Sequence, residues 1–74
     1  MSGPDVSLAL SRDEALVLLA WIHQFNESQP TFEDQAEQRV LWDLECMLES
    51  QVPAVVSPEY SELLAAARQR VRDK

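Results

Sequence analysis

The chain has 74 residues, and thirteen acidic against six basic side chains give it a formal net charge of −7. This length predicts one small domain, 1–74, with too little interior for the pocketed core of an enzyme. Its negative charge disfavours binding to nucleic acid or to anionic membranes and favours a basic protein partner. Alternatively, the negative charge serves only to keep the protein soluble.

Domains this small usually need disulfides, a metal, regular helix packing or a second subunit for stability. Cys46 is the only cysteine, which excludes an internal disulfide, and it cannot complete a zinc site with His23, the only histidine. We therefore expect neither a metal nor a cofactor. Regular packing and oligomerisation remain.

The chain lacks an apolar run near the roughly 20 residues that span a bilayer. Its N-terminus also lacks the positively charged start of a signal peptide. Together with the lone cysteine, these features predict a cytoplasmic protein that does not enter membranes.

The N-terminal residues predict a tail followed by a short extended segment. Residues 1–5 contain the only glycine and a proline, and we expect them to be disordered. Val6, Leu8 and Leu10 alternate with smaller residues, as in a strand. A single strand cannot satisfy its own backbone, so it would pair with residues 52–56 or with another subunit. We favour a plain connection for residues 51–56.

Ser11 and Glu14 have capping-box spacing and predict a first helix over residues 12–27. Residues 15–22 are eight consecutive apolar residues, so the first half of this helix is apolar all round. A three-helix bundle buries only part of each helix. Leu18, Trp21, Ile22 and Phe25 can face the core. Leu16 or Val17 would then remain uncovered unless the N-terminal segment or another subunit lies over them.

Thr31 is the expected cap of a second helix over residues 32–50. Trp42 and Cys46 lie one turn apart, off the apolar stripe of this helix, and form a smaller apolar spot. Either the third helix or residues 52–56 cover Trp42, or Trp42 contacts a second copy of the chain or another protein. The stripe itself recurs at helical spacing and comprises Ala36, Val40, Leu41, Leu44, Met47 and Leu48.

Ser57 as cap and Pro58 at the first helical position predict a third helix over residues 58–72. Its apolar stripe is narrow, and residues 65–67 are alanines that permit close approach to a neighbour. Arg68, Arg70, Arg72 and Lys74 suit the negative end of the helix dipole.

The residue types that catalysis requires do not converge in this sequence. His23 is interpreted as a partly buried or surface side chain, and Cys46 has no close cation that would activate its thiol. The paired carboxylates lack the spacing of a calcium loop. We therefore expect a protein that is not an enzyme.

Three stretches, LSRDEALVLL, AEQRVLWDLECMLE and SPEYSELLAAAR, resemble a family of short acidic proteins from high-GC bacteria. The resemblance extends from Leu10 to Arg70. It implies a bacterial cytoplasmic protein and brings no assigned activity and no functional residue.

These observations predict an all-α fold, a small three-helix bundle with a short extended N-terminal segment across it. Two functions fit: an acidic module that docks on a basic protein, as an immunity protein, an antitoxin-like inhibitor or a regulatory subunit does, or a homodimer formed through the first helix and the Trp42 patch. The candidate interaction residues are Trp42, Cys46, Leu16, Val17 and Trp21. The predicted core comprises Leu18, Leu19, Ile22, Phe25, Val40, Leu44, Met47, Leu48, Leu63, Leu64 and Val71.

Overall fold

Three α-helices account for the regular structure of the protein in a computed structural model that describes residues 5–52 and 57–74. Helix α1 spans Arg12–Glu27, α2 spans Gln35–Gln51 and α3 spans Tyr60–Arg72. Within the described ranges there is no strand, so the predicted all-α three-helix bundle is confirmed. The predicted tail and the proposed pairing with residues 52–56 lie mostly outside the described residues.

The start of α1 is the predicted capping box. The Ser11 hydroxyl oxygen accepts a hydrogen bond from the Glu14 amide at 3.0 Å, and the Glu14 carboxylate accepts one from the Ser11 amide at 3.0 Å. These bonds satisfy two amide groups that have no partner inside the helix. The predicted bounds of the first helix are confirmed.

Helix α2 begins three residues later than predicted, and Thr31 is not its cap. Asp34 is the N-cap instead, because its carboxylate accepts a hydrogen bond from the Ala36 amide at 2.8 Å. Phe32, expected inside the helix, lies in the connection with its ring 6.1 Å from that of Phe25 in an edge-on contact. Phe25 in turn stacks on Trp21 at 5.1 Å. This aromatic cluster anchors the connection between α1 and α2.

Helix α3 begins two residues later than predicted, because Ser57 caps a turn rather than the helix itself. The Ser57 hydroxyl oxygen accepts from the Glu59 amide at 3.1 Å, and the Ser57 carbonyl accepts from the Tyr60 amide at 3.1 Å. The helix proper follows this turn and ends at Arg72, as predicted.

Two ion pairs join the end of α3 to the start of α1, so these helices are antiparallel. Arg70 donates two hydrogen bonds to the Asp13 carboxylate, at 2.7 and 2.9 Å. Lys74 donates one to Glu14 at 2.6 Å, and this bond, with those from Ser11, lowers the pKa of Glu14 to about 2. Both pairs are exposed, so they orient α3 more than they stabilise it.

The core is centred on α1, which packs against both other helices. Among the predicted core residues, Leu19, Ile22 and Leu48 are confirmed as buried, whereas Val40, Met47 and Leu63 are exposed, so the prediction for those three is wrong. Leu18, Phe25, Leu44, Leu64 and Val71 are partly buried. The complete buried core of the described residues comprises Leu16, Leu19, Ile22, Leu48, Val52 and Ala67.

The bundle is open on one side. In the described part of the chain, α2 and α3 each pack on α1 but make few contacts with each other. The radius of gyration is 13.8 Å, whereas a compact domain of this length has about 11 Å. The exposed surface is 6123 Å², against about 4,600 Å² for a typical folded monomer of the same mass. This chain therefore exposes more surface than a closed bundle does.

Candidate protein-binding surfaces

The open side of the bundle forms a groove of about 960 Å³. We call this site the groove. Its lining from the N-terminal segment and α1 comprises Val6, residues 8–13, Ala15, Leu16 and Leu18. Its walls come from the second half of α2 and from one flank of α3. The residues on these two walls are Leu44, Met47, Leu48, Gln51, Val52, Leu63 and Arg70.

The apolar character of the groove follows from the width of the α2 stripe. At about 100° per residue, Leu41, Leu44 and Leu48 share the flank that α1 covers, whereas Val40 and Met47 share the neighbouring flank. Leu48 is buried and Leu41 and Leu44 are partly buried, but Val40 and Met47 are exposed. One half of the predicted stripe therefore has no cover.

The charges of the groove nearly cancel. Its lining includes only three charged residues, Arg12, Asp13 and Arg70, and Asp13 is paired with Arg70. No polar side chain is buried in the described ranges. A small-molecule site usually has a few buried polar groups that orient its ligand. The groove is thus better suited to a protein than to a small polar ligand.

A second surface lies on the flank of α2 that adjoins its contact with α1, and we call its residues Trp42, Cys46, Glu45 and Glu49 the Trp42 face. Trp42 is 49% exposed, and Cys46 is exposed as a free thiol. Glu45 follows Trp42 by three residues, so helical spacing places it beside Trp42, and Glu49 lies one turn beyond Glu45. An exposed tryptophan with a carboxylate beside it combines an apolar anchor with negative charge.

His23 and Asn26 of α1 connect that helix to the Trp42 face. The His23 Nδ1 atom lies 2.9 Å from Glu45, whose other carboxylate oxygen accepts from the Asn26 amide at 2.9 Å. His23 Nε2 lies 3.3 Å from Glu27. The bond with Glu45 raises the pKa of His23, and the charges of Glu27, Glu45 and Glu49 raise it further. Sequence reasoning missed this link, since only Glu27 stands at helical spacing from His23.

We expect stability to fall as pH rises from 6 to 8, because His23 gains carboxylate partners on folding. A raised pKa means that this contribution is complete below about 6.5, the usual pKa of histidine, and is lost as pH rises through the higher folded value. The effect is modest, since the pair is exposed to solvent. Urea unfolding at several pH values checks it, and His23→Gln should flatten the profile.

A histidine pKa at or below the usual value, measured by NMR in the folded protein, contradicts this prediction. The carboxylates do not titrate between pH 6 and 8, because the pKa values of Asp13, Glu14 and Glu45 are lowered from ordinary values that are already below this range.

The predicted interaction residues do not share one surface. Trp42 and Cys46 lie on the Trp42 face of α2, whereas Trp21 is half exposed on α1 and stacks on Phe25. Val17 is partly buried against the core. Leu16 is 5% exposed, so the expectation that it lacks cover is wrong: it packs in the buried cluster at the centre of the bundle.

Comparison with protein-family models, with curated proteins and with solved structures gives no match to this chain. None of the three helices that the structure describes is long and apolar enough to cross a membrane. Residues 5–52 and 57–74 contain no group of three or more histidine, cysteine or acidic side chains that could hold a metal ion.

Proposed function

We propose that this chain is a small acidic protein-interaction module that docks on a basic protein and catalyses no reaction itself. Immunity proteins, antitoxin-like inhibitors and regulatory subunits act in this way. The observation that carries the proposal is the half-exposed Trp42 on α2 of a strongly acidic chain. The lone cysteine favours a cytoplasmic setting, and the resemblance noted above favours a bacterial one.

The Trp42 face has the composition of an interface centre with a charged rim. Tryptophan is enriched among the residues that dominate binding energy, because its ring buries a large apolar area at little entropic cost. Glu49 and the other carboxylates of this acidic chain attract cationic side chains and disfavour acidic competitors. This face therefore suits a partner that presents an apolar pocket within a basic surface.

The charge of the whole chain supports the same partner. Two of the six basic side chains, Arg70 and Lys74, are held in ion pairs with Asp13 and Glu14. The field around the protein is set by the excess of carboxylates, which gives a net charge of −7. Such a field steers a cationic protein toward the module and speeds association at low salt. Binding should therefore weaken as salt is added.

The alternative of a homodimer through the first helix and the Trp42 patch has less support. One of its contact residues, Leu16, is buried inside the monomer.

Trp42→Ser is expected to weaken partner binding by about 30-fold or more, the loss typical of a dominant interface residue. The partner is captured from a lysate, purified, and titrated against the module by calorimetry at low and high salt. Val40→Ser is the matched control, since it removes another exposed apolar side chain from the other side of α2. It should leave the affinity nearly unchanged.

Two outcomes contradict the proposal. Binding that does not respond to salt would exclude recognition by charge. Equal affinities of wild type and Trp42→Ser for the captured protein would exclude the Trp42 face as the contact. Trp21→Phe provides an independent reading, because it leaves Trp42 as the only tryptophan. The fluorescence of Trp42 should shift to shorter wavelength when the partner binds.

A further inference from the structure

We propose that the groove is an interface between two copies of this chain. In this dimer Val6, Leu8 and Leu10 of each copy are buried in the groove of the other. The interface lies on a different surface from the Trp42 face, so it goes beyond the proposed function and does not depend on it. The dimer would present two Trp42 faces to a partner.

The surface area of the chain matches this role. The structure exposes 6123 Å², about 1,500 Å² more than a typical folded monomer of 8.4 kDa. A stable interface of standard size buries about 800 Å² on each partner. The excess, to which the exposed residues 5–10 contribute, is about the size of one such interface.

The N-terminal segment, residues 6–10, needs the cover that a second copy provides. Val6 is 86% exposed and Leu8 is 85% exposed, although both border the groove. Within the described chain, the amides of this segment donate no hydrogen bond to another backbone group. An extended apolar segment beside an apolar groove gains burial when the segment of one copy lies in the groove of the other.

Charge favours a second copy over a basic partner at this site. The groove contains the Asp13–Arg70 pair and one further charge, Arg12, which is in no ion pair with a described residue. Two acidic chains can approach through this nearly neutral surface without placing carboxylates against each other. Asp5, the acidic residue next to the apolar segment, has a charge opposite in sign to that of Arg12.

The arrangement is self-complementary. Each copy carries both the groove and the segment that fills it, so one two-fold rotation satisfies both sites at once. Such an isologous pairing closes at two subunits and leaves no further groove for growth. It also answers the stability problem of a small domain, for which a second subunit is one of the usual solutions.

Sedimentation equilibrium over a wide range of protein concentration tests the proposal. Wild type should have twice the chain mass of 8.4 kDa. Leu8→Asp should raise the dissociation constant of the dimer by about 30-fold or more, because it places a carboxylate in an apolar contact. Ser7→Asp is the matched control. It adds the same charge one residue away, on a side chain that does not line the groove, and should leave the dimer intact.

Circular dichroism and a second variant distinguish a loss of association from a loss of folding. Leu8→Asp should keep the helical circular dichroism of wild type, because Leu8 is exposed in the monomer. If that variant lost helix, Met47→Lys on the opposite wall would replace it, with the same expected dissociation. Isotope-filtered NMR on a mixed sample should show contacts between the Leu8 methyl groups of one copy and Met47 or Leu63 of the other.

Three results would overturn the proposal. A wild type that is monomeric at every concentration excludes self-association, and shifts of groove resonances on addition of an apolar dye would then assign the groove to a small ligand. A dimer that Leu8→Asp and Met47→Lys leave intact excludes the groove as the interface. A dimer that Ser7→Asp splits equally excludes a specific role for Leu8. Trp42→Ser should not change the mass, so the two proposals fail separately.

Discussion

Ile22→Ala is expected to lower the free energy of unfolding by about 2 to 5 kcal/mol, the range for truncating a fully buried aliphatic side chain. Ile22 is 0% exposed and lies in the second half of α1, the helix that contacts both others. A domain of 74 residues has a total stability of about 4 to 11 kcal/mol. The substitution therefore removes a large share of the stability and brings the chain close to unfolding.

Urea unfolding followed by circular dichroism measures this loss, with Val40→Ala as the matched control. Both changes truncate a β-branched residue in a helix, but Val40 is exposed. We expect the control to change stability by no more than about 0.5 kcal/mol. Both are best measured in the Leu8→Asp background, so that association does not add to stability. Equal losses from the two truncations would contradict the central place of Ile22 in the core.

Local signals explain why the first helix was predictable. The capping box at Ser11 and Glu14 depends on four adjacent residues and on no distant contact, so its pattern alone predicts the start of α1. The start of the second helix, by contrast, depends on a contact with another part of the chain. Thr31 and Asp34 are both acceptable caps, and the contact of Phe32 with Phe25 places Phe32 outside the helix. That contact spans two elements, and propensity does not report it.

The core was predictable only in part, because periodicity identifies an apolar stripe but not the width that a neighbour covers. On α2 the stripe is real, yet Leu48 is buried while Met47 is exposed. On α3 the same limit applies to Leu63. Leu16 shows the opposite error. A helix that is apolar all round gives no direction, so the sequence does not tell which side of α1 its neighbours cover.

The two candidate surfaces differ in the same way. Trp42 departs from the stripe of its own helix, and this local fact is enough to predict that it lies outside the main core. The groove depends on the positions of α2 and α3 around α1, which follow from packing at α1 and at Ala67. The sequence predicts an extended N-terminal segment across the helices, and Val6, Leu8, Ala9 and Leu10 do border the groove, but the exposure of Leu8 is visible only in the structure.

Ala67→Leu is expected to destabilise the protein by about 1 to 3 kcal/mol, the usual cost of adding methylene groups to a well-packed site. Ala67 is 0% exposed in the core cluster, which Tyr60 and Leu64 of the same helix also join. A small side chain here lets α3 approach α1 closely. A leucine would push the helices apart or force the new side chain out of its preferred rotamer. Thermal and urea unfolding measure the change, again in the Leu8→Asp background.

Ala65→Leu is the matched control for this change, because the same substitution falls two residues away on the exposed side of α3. Leucine and alanine both favour helix, so the control should stay within about 0.5 kcal/mol of wild type. The displaced α3 should also alter the groove, since Leu63 and Arg70 form its wall. Of these two variants, only Ala67→Leu should therefore weaken the dimer when it is introduced into the wild-type chain. A fully stable Ala67→Leu dimer would show that the close approach of α3 to α1 is not what shapes the groove.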